Sequence, residues 1–456
     1  MVRFRRAHHV RSLLTITGTA GMLILALAGC GGNDSDSGPA AGSYGFPQVT
    51  QDDKAAITVW VDADRTKAAD AFKKAHPEVP ITVVTYDGSA NGSNSFRTKM
   101  QLFDRAGSGW PDVVFSTQNN DAAWASQKSN GKQAFAAVLS DGLVAKDTLD
   151  KFTPGALNPC TVEGKVYCLR NDLAQAVLWY NKTLLDRFGY KVPTTWQEYQ
   201  ALGEKVAQEH PGHIVGTVGD AWTPEVFFWG SKCQANDITG PKTVTVNTGT
   251  PECQRAAAML DTLIKNGTTP NVSVFTPEFV QKYSGKVLMM PGPAWYAGAI
   301  FNNPESLKVP AGQLGVAAPL AWQGEEAVTG NVGGGTWFVS SHSKNLKAAE
   351  SFVRFATTAD EYQVEVAPGY PAYAPAAQKW VTKQEASKYY ATDLQAVVKA
   401  GTSIWSGWGS GIFSQEAIWA KTMTPGIAGG KSLVSLLPEW QTAIKNQAQV
   451  DGYTVK

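Results

Sequence analysis

The sequence is poor in charge and in histidine, and its charges of opposite sign nearly cancel. Charged residues make up 17% of the 456 residues, against about 25% in an average soluble protein. The 40 lysines and arginines almost balance the 39 aspartates and glutamates, so no basic excess favours binding to nucleic acid. The hydrophobic fraction of 43% still supports a full core, which excludes disorder for most of the chain. The length suits two or three domains, or one large two-lobed unit.

Motifs of several common enzyme classes are also missing. The sequence contains no H-E-x-x-H, no G-x-S-x-G and no C-x-x-C, so it shows no sign of a zinc protease, a serine hydrolase or a thiolate metal site. Gly430-Lys431-Ser432 resembles the end of a P-loop, but Pro425 occupies the place of the motif's first glycine. We therefore expect no enzyme activity, no cofactor and no metal. A glycoside hydrolase, which uses a pair of carboxylates, stays an open alternative because acidic residues are abundant.

The first 29 residues are predicted to be an export signal. Four arginines stand near the N-terminus, and an apolar stretch centred on residues 22–27 follows them. This stretch is short and is interrupted by Gly18 and Gly21, which disfavours a permanent membrane span. The leader holds four of the 40 cations and none of the 39 anions, so the exported chain carries 36 cations against 39 anions, a formal charge of −3.

A lipid anchor is expected directly after this signal. Leu27-Ala28-Gly29-Cys30 resembles a bacterial lipobox, which implies cleavage before Cys30 and acylation of its thiol. Glycine, serine, alanine and aspartate dominate the next residues, so 30–49 is predicted to be a lipidated cysteine followed by a flexible tether. The expected location is the extracellular face of the cell membrane, anchored by lipid as in a Gram-positive cell.

Four further cysteines remain in the exported chain, namely Cys160, Cys168, Cys233 and Cys253. An even number of cysteines in an exported protein indicates disulfide bonds. Pairing of sequence neighbours, 160 with 168 and 233 with 253, is the simplest of the three possible connectivities. Zinc binding is the competing interpretation, although the spacing does not favour it.

Strand and helix patterns alternate along the chain. Ile57–Val61, residues 81–86 and residues 112–115 have strand composition, and helical periodicity separates them, which predicts parallel strands with helices on their faces. Ligands of such sheets bind beyond the carboxyl ends of the strands, here at residues 62–65 and 116–121. A second α/β region begins near Arg170, and no repeat of 20–50 residues is found.

Tryptophan is the unusual component of this sequence. Five of the 15 tryptophans stand in or beside segments rich in glycine, proline and serine: Trp222, Trp229, Trp295, Trp405 and Trp408. A tryptophan in a loop offers a flat apolar face, which suits stacking on a pyranose ring while amides and carboxylates bind the hydroxyls. Such polar partners follow the predicted strands: Asp64, Arg65, Gln118, Asn119, Asn120 and Asp121. Core packing is the alternative for each single tryptophan.

The order of several motifs resembles the solute-binding proteins of bacterial ABC importers, in the sugar-binding family that includes the maltose-binding protein. The most specific piece is Trp179-Tyr-Asn-Lys182 followed by Pro193-Thr-Thr-Trp196. Four weaker pieces accompany it: Ile57–Asp64, Gly109–Phe115, Met290–Trp295 and Gly333–Thr336. This resemblance implies two α/β lobes, each a mostly parallel sheet flanked by helices, joined by a hinge. It places lobe 1 at 50–169 and 331–366, and lobe 2 at 170–330 and 367–456.

The resemblance also implies a set of ligand-binding residues. Asp64 matches a hydroxyl-binding acid after the first strand, although a helix N-cap is its simpler role. Trp295 matches a stacking tryptophan, and Trp405 or Trp408 is expected to supply a second aromatic platform. The remaining expected ligand-binding residues are Arg65, Asn120, Asp121, Asp172, Trp222 and Gly334.

The predicted function is capture of a di- or oligosaccharide and its delivery to the membrane subunits of an ABC permease. The expected partners are therefore a carbohydrate, the permease subunits and, through lipid, the membrane. The protein is expected to be a monomer that binds no nucleic acid. Three alternatives stay open: a binding protein for a glycerophosphodiester or a peptide, an exported glycoside hydrolase, and a surface lipoprotein that binds another protein.

Overall fold

The computed structural model describes residues 44–87, 92–118, 120–128, 133–240, 242–409 and 411–456, except for the side chains of residues 92–94. The predicted signal peptide, the lipidation site Cys30, tether residues 31–43 and Asn119 lie outside the described residues. Among the residues described, no helix combines the length and the apolar character needed to cross a bilayer.

Strands are distributed over the whole described chain. In chain order they are β1 Ile57–Val61, β2 Ile81–Thr85, β3 Val113–Ser116, β4 Thr161–Val162, β5 Lys165–Val166, β6 Leu169–Arg170, β7 Asp172–Leu173, β8 Ala176–Asn181, β9 Asp237–Gly240, β10 Thr243–Thr245, β11 Met289–Pro293, β12 Leu314–Ala317, β13 Thr336–Val339, β14 Tyr370–Pro371 and β15 Thr454–Val455.

Helices connect these strands and cover the sheets. They are α1 Thr66–Ala75, α2 Gly92–Ala106, α3 Asp121–Ala125, α4 Lys146–Leu149, α5 Lys182–Phe188, α6 Trp196–Glu209, α7 Pro251–Lys265, α8 Pro277–Tyr283, α9 Leu346–Thr358, α10 Asp360–Gln363, α11 Ala374–Ala386, α12 Gln395–Ala400, α13 Gln415–Ala428 and α14 Leu433–Val450. Two π-helical turns add to them, Pro224–Phe228 and Ala297–Phe301.

The first sheet has the strand order β2-β1-β3-β13-β6. β1 pairs in parallel with both β2 and β3, which confirms the predicted β-α-β-α-β start. β13 pairs antiparallel to β3 and to β6, so the chain returns to this sheet after a long excursion. Phe72 of α1 packs against Phe352 and Phe355 of α9 at ring distances of 4.9 and 5.5 Å, and this contact covers one face of the sheet with apolar side chains.

The second large sheet has the order β11-β8-β12. Both neighbours pair antiparallel to β8, so the expectation of a mostly parallel sheet applies to β1–β3 and is wrong for these strands. The composition of a buried strand is the same in either direction, which is why the sequence did not distinguish them. The run Val287–Met290 has the composition of a buried strand, and the strand lies two residues later, at Met289–Pro293.

Local signals in the second region were accurate. Thr195 followed three residues later by Glu198 predicts a capping box. In the structure, Thr195 caps α6 by accepting a hydrogen bond from the Glu198 backbone, and the Glu198 side chain completes the box. Disulfide bonds join Cys160 to Cys168 and Cys233 to Cys253, which confirms pairing between sequence neighbours.

Candidate ligand-binding cavity

A cavity of about 730 Å³ lies where the carboxyl ends of β1 and β3 meet the segment between β6 and β8. Its volume is in the range of small-molecule sites, about 300–1,000 Å³. Six of the predicted ligand-binding residues line it: Asp64, Arg65, Asp172, Trp222, Trp295 and Gly334. The two strand ends were expected to hold the ligand, and both contribute to the lining.

The turn after β1 supplies a compact ionic cluster. Arg65 donates to Asp62 twice, from its backbone N–H at 2.9 Å and from its guanidinium at 3.3 Å. Asp62 is only 8% exposed, and burial raises the pKa of its carboxyl despite the nearby guanidinium. Asp64 lies 3.7 Å from Arg65 and its side chain is 79% exposed. Helix α1 begins without a side-chain cap, so the Asp64 carboxylate is not used as one.

An aromatic ring also contacts the Arg65 guanidinium. The Arg65 side chain lies 4.6 Å above the ring of Phe115 in β3, a cation–π contact. Its position is therefore set by carboxylates on one side and by a ring on the other, before any ligand arrives. A fixed donor of this kind loses little conformational entropy on binding.

Asp172 lies at the crossing from the first sheet toward β8. It is 3% exposed, and its Oδ1 accepts from the side chain of Asn171 at 3.0 Å and from the backbone of Gly335 at 3.1 Å. The adjacent Gly334 has φ +75, and a Cβ there would lie 2.1 Å from the Arg170 guanidinium. Only glycine fits this close approach of two chain segments.

Besides Tyr86, three aromatic side chains that contact one another line the cavity. The rings of Trp222 and Trp295 lie 5.7 Å apart at 74°, and Phe275 stacks on Trp295 at 6.1 Å and 21°. Phe275 is 54% exposed, which is unusual for so large an apolar side chain. We call Trp222, Phe275 and Trp295 the aromatic wall.

Both indole N–H groups of the aromatic wall are already used inside the protein. Trp222 donates to the hydroxyl of Tyr296 at 2.8 Å, and Trp295 donates to the carbonyl of Val332 at 2.9 Å. The ring of Tyr296 also meets Trp295 edge-on at 4.8 Å. What the two tryptophans offer a ligand is therefore ring surface and not hydrogen bonding.

Asp220 joins the two loops that carry the aromatic wall. Its carboxylate accepts from the Ser273 hydroxyl at 2.5 Å and from the Val274 backbone at 3.3 Å. Asp220 is 4% exposed, and burial raises its pKa to about 6. This contact holds the loop before Phe275 close to the loop that contains Trp222.

Four other predicted residues lie away from this cavity. Asn120 donates to the Ile412 carbonyl at 2.9 Å, and buried Asp121 accepts from Ser116 and from the Trp124 indole. Both side chains therefore have partners inside the protein, and neither lines the cavity.

The two C-terminal tryptophans have structural partners as well. Trp408 is 2% exposed, donates to the Cys233 carbonyl at 2.6 Å and stacks on Trp229 at 4.9 Å. Trp229 in turn donates to the carbonyl of Trp405 at 2.6 Å. The expected C-terminal platform is therefore packed into the second hydrophobic core instead of the cavity.

Sequence reasoning missed several residues of the lining. Phe275 had a usable signal, since it is a large apolar residue just before the helix cap Thr276 and outside any periodic pattern. Asp220 and Glu416 had no such signal, because an isolated acid in a loop or first helical turn is ordinary. The other lining residues that were not predicted include Tyr86, Asp87, Asn171 and Ser273.

Acidic side chains outnumber basic ones around the cavity. Among the described lining residues, Arg65 is the one cation, and the carboxyl groups are those of Asp62, Asp64, Asp87, Asp172, Asp220 and Glu416. Carboxylates only accept hydrogen bonds, so the cavity is suited to a ligand that brings many donors.

Comparison with protein families gives one match that covers most of the chain. The sequence model of the bacterial extracellular solute-binding proteins matches residues 50–363. Similar curated proteins include the "Multiple sugar-binding protein" of Streptococcus mutans, 27% identical over 45% of this chain and 50% of that protein. The "Diacetylchitobiose binding protein DasA" of Streptomyces coelicolor is 26% identical over 77% of this chain and 79% of that protein. The chain spans about half the length of the curated relatives that match it most strongly.

Solved structures share the fold at low sequence identity. The galacto-N-biose-/lacto-N-biose I-binding protein of an ABC transporter from Bifidobacterium longum, solved with lacto-N-biose, matches with a TM-score of 0.73 and 19% identity. That match covers 89% of this chain and 100% of the other. Maltose-bound MalE3 of T. maritima matches with a TM-score of 0.66 and 19% identity, over 86% and 99% of the two chains. The fold is thus the two-lobed α/β fold of periplasmic binding proteins.

Proposed function

Because the chain belongs to the bacterial extracellular solute-binding proteins, we propose that it captures a di- or oligosaccharide in the cavity described above and delivers it to an ABC permease. The observation that carries this proposal is that the aromatic wall and six carboxyl groups line one cavity. Ring faces stack on the C–H face of a pyranose, while carboxylates accept hydrogen bonds from its hydroxyls. Relatives named for sugars and arabinooligosaccharides support the same ligand class.

The charge of the cavity argues against anionic solutes. A glycerophosphodiester would bring a negative charge beside at least six carboxyl groups, with Arg65 as the one cation among the described lining residues. That guanidinium already contacts Asp62 and Asp64. Repulsion at short range in a partly buried site would oppose such a ligand.

Ligand capture would act through closure of the two lobes. We assign residues 50–169 and 331–366 to one lobe and 170–330 and 367–456 to the other, so that Arg65 and the aromatic wall belong to different lobes. A saccharide held between them favours the closed state, because only that state makes both sets of contacts. The permease would then bind the closed form, and the protein itself would carry out no chemistry.

A lipid on Cys30 would keep the protein near its permease. The lipobox Leu27–Cys30 and the polar residues that follow it support this anchor. Mass spectrometry of the protein purified from membranes, with Cys30→Ser as the comparison, tests it. A mature wild-type chain that begins elsewhere, or that lacks acyl mass, would refute the anchor.

A thermal-shift screen against neutral di- and oligosaccharides tests the proposed function. A ligand that binds only the folded protein raises the melting temperature in proportion to the logarithm of its concentration above Kd. Hits are then measured by calorimetry, and product analysis follows the ligand over time. The absence of any saccharide hit would contradict the proposal, and turnover of a hit would favour a glycoside hydrolase.

A further inference from the structure

A small chamber of about 60 Å³ adjoins the main cavity, and Glu416 lines both. The chamber is enclosed mainly by the π-helical turn that carries Glu225, by Trp229, and by residues 408–416 around the start of α13. Asn120 and Trp408, which were predicted to bind the ligand and are absent from the main lining, line this chamber. Its volume accommodates one or two water-sized groups.

Two buried carboxyl groups face this chamber. Glu225 is 3% exposed, and its Oε2 has no hydrogen-bond partner among the residues described. Glu416 is 7% exposed and accepts from the Ser414 hydroxyl at 2.7 Å. A buried carboxyl oxygen without a donor costs free energy that a hydrogen-bonding ligand can recover.

Among the described residues that line the chamber, no cationic side chain offsets these carboxyl groups. The described residues that line the chamber include no lysine, arginine or histidine. Glu225 is influenced by the charge of Glu416, and Glu416 by that of Asp121. Burial, followed for Glu225 by this repulsion, raises the pKa of both groups.

Several side-chain hydrogen-bond donors around the chamber bind other protein groups. Asn236 donates to the Trp408 carbonyl at 2.7 Å, and Gln415 donates to the Asn236 side chain at 2.6 Å. The indoles of Trp229 and Trp408 and the amide of Asn120 also have protein acceptors. Glu225 Oε2 has no protein donor among the residues described, so in its ionised form this carboxyl group can accept a hydrogen bond from a donor on the ligand.

Aromatic rings complete the surroundings. Trp229 and Trp408 stack at 4.9 Å and both line the chamber. Tryptophan rings attract cations, and this attraction adds to that of the two carboxyl groups. A neutral hydroxyl would gain only part of this attraction. A metal ion is not favoured, since the described residues contain no group of three or more metal-ligating side chains.

We propose that this chamber binds a protonated primary amine of the captured saccharide, so that the preferred substrate class is an amine-bearing di- or oligosaccharide. The inference rests on the proposed function, because the amine enters from a sugar bound in the main cavity. An ammonium group matches the chamber in size, supplies three donors and balances one negative charge of the carboxyl pair. A free small ammonium ion would offer the same chemistry, so the experiment includes it as a separate probe.

The test compares saccharides that differ in amine against hydroxyl. Calorimetry of the full chain at pH 6, below the ordinary range of amine pKa values, is run with cellobiose, β-1,4-linked diglucosamine and methylammonium chloride at equal ionic strength. We expect diglucosamine to bind at least tenfold more tightly than cellobiose. That advantage should fall at least fivefold in Glu225→Gln and Glu416→Gln, and remain in Glu278→Gln, an exposed glutamate of α8.

Proton exchange provides a measurement on the wild-type protein, independent of whether the variants fold. A cation beside the carboxyl pair lowers its pKa, so binding of the amine should release protons, seen as a binding enthalpy that depends on the buffer's ionisation enthalpy. Cellobiose should release none. The amine assignment is overturned if diglucosamine shows neither proton release nor an affinity advantage over cellobiose.

The remaining outcomes separate this inference from the proposed function. If cellobiose binds as tightly as diglucosamine or more tightly, the amine preference is overturned and saccharide capture stands. The same conclusion follows if neither cellobiose nor diglucosamine binds but another neutral saccharide does. An advantage of diglucosamine that both glutamate variants retain overturns the chamber as its site. Binding of methylammonium alone, with no advantage for diglucosamine, overturns the sugar as the source of the amine. Failure of every saccharide contradicts the proposed function itself.

Discussion

The indole of Trp222 donates a hydrogen bond to the hydroxyl of Tyr296, the residue that follows Trp295. The two tryptophans of the aromatic wall lie more than 70 residues apart in sequence and are thereby held by one buried side chain. Tyr296 is 2% exposed and is absent from the cavity lining, so it acts on a ligand only through the rings that it positions.

Replacement of Tyr296 by phenylalanine should weaken saccharide binding without loss of the fold. The variant keeps the ring against Trp295 but leaves the Trp222 N–H without its acceptor. We expect a loss of about 0.5–1.5 kcal/mol of binding free energy, the usual contribution of one hydrogen bond, measured by calorimetry. Tyr389→Phe, which removes a hydroxyl bonded to the Val309 carbonyl outside the cavity lining, serves as the control and should bind normally.

Trp295→Ala should cost about 1–3 kcal/mol of binding free energy, the scale for loss of a well-packed aromatic anchor. The ring stacks beside Phe275 and supplies apolar surface to the cavity. Trp110→Ala is the matched control, because Trp110 is half-buried, stacks on His342 and does not line the cavity. Unchanged affinity of the Trp295 variant in calorimetry would remove this ring from the binding surface.

Gly334→Ala should destabilise the protein more than Gly312→Ala does. Both glycines have positive φ, +75 and +78, but an added Cβ meets the Arg170 guanidinium at 2.1 Å only at position 334. The Gly312 variant reports the backbone cost alone, about 1–2 kcal/mol, and the Gly334 variant adds steric displacement of the arginine. Urea unfolding measures both free energies. Equal losses would show that the guanidinium moves away at no cost.

The stability of the protein should fall as pH rises from about 4 to 6 through the ionisation of Asp220. Its pKa in the folded protein is raised to about 6, above the ordinary value near 4 of the unfolded chain. The folded state therefore holds the proton more tightly, and the associated stabilisation, about 3 kcal/mol at most, is complete below pH 4 and lost by about pH 6. Asp220→Asn should remove this dependence.

Melting temperatures of wild type and Asp220→Asn, compared between pH 4 and 7, check this expectation. The difference between the two proteins should change with pH in favour of the variant as the pH rises. Asp70→Asn, at an exposed site on α1, controls for the loss of one carboxylate. A wild-type advantage that is constant over this range would contradict a raised pKa.

The parts of the fold that depend on local patterns were predictable from the sequence. β1, β2 and the start of α6 follow from alternation, composition and capping residues that lie next to one another. The direction of the strands around β8 was not predictable in this way, because it depends on where segments more than 100 residues away join the sheet. Local residue patterns carry no information on such distant pairing.

The tryptophans show the same limit for the site. Trp295 and Trp408 both lie next to glycine- or proline-rich segments, and the sequence therefore predicted ligand stacking for both. In the structure Trp295 faces the cavity, whereas the N–H of Trp408 meets a carbonyl at Cys233, 175 residues earlier. Whether a loop tryptophan meets a ligand or the core depends on this distant contact, which residue type and spacing do not encode.

The position of β13 between β3 and β6 also constrains how the chain acquires its structure. The sheet that begins at Ile57 lacks an interior strand until Thr336 is available. During synthesis, β1–β3 therefore cannot form the complete sheet. Pairing across so large a sequence separation also makes folding slow. A polypeptide with this strand order can complete its first sheet only after Thr336 has been synthesised.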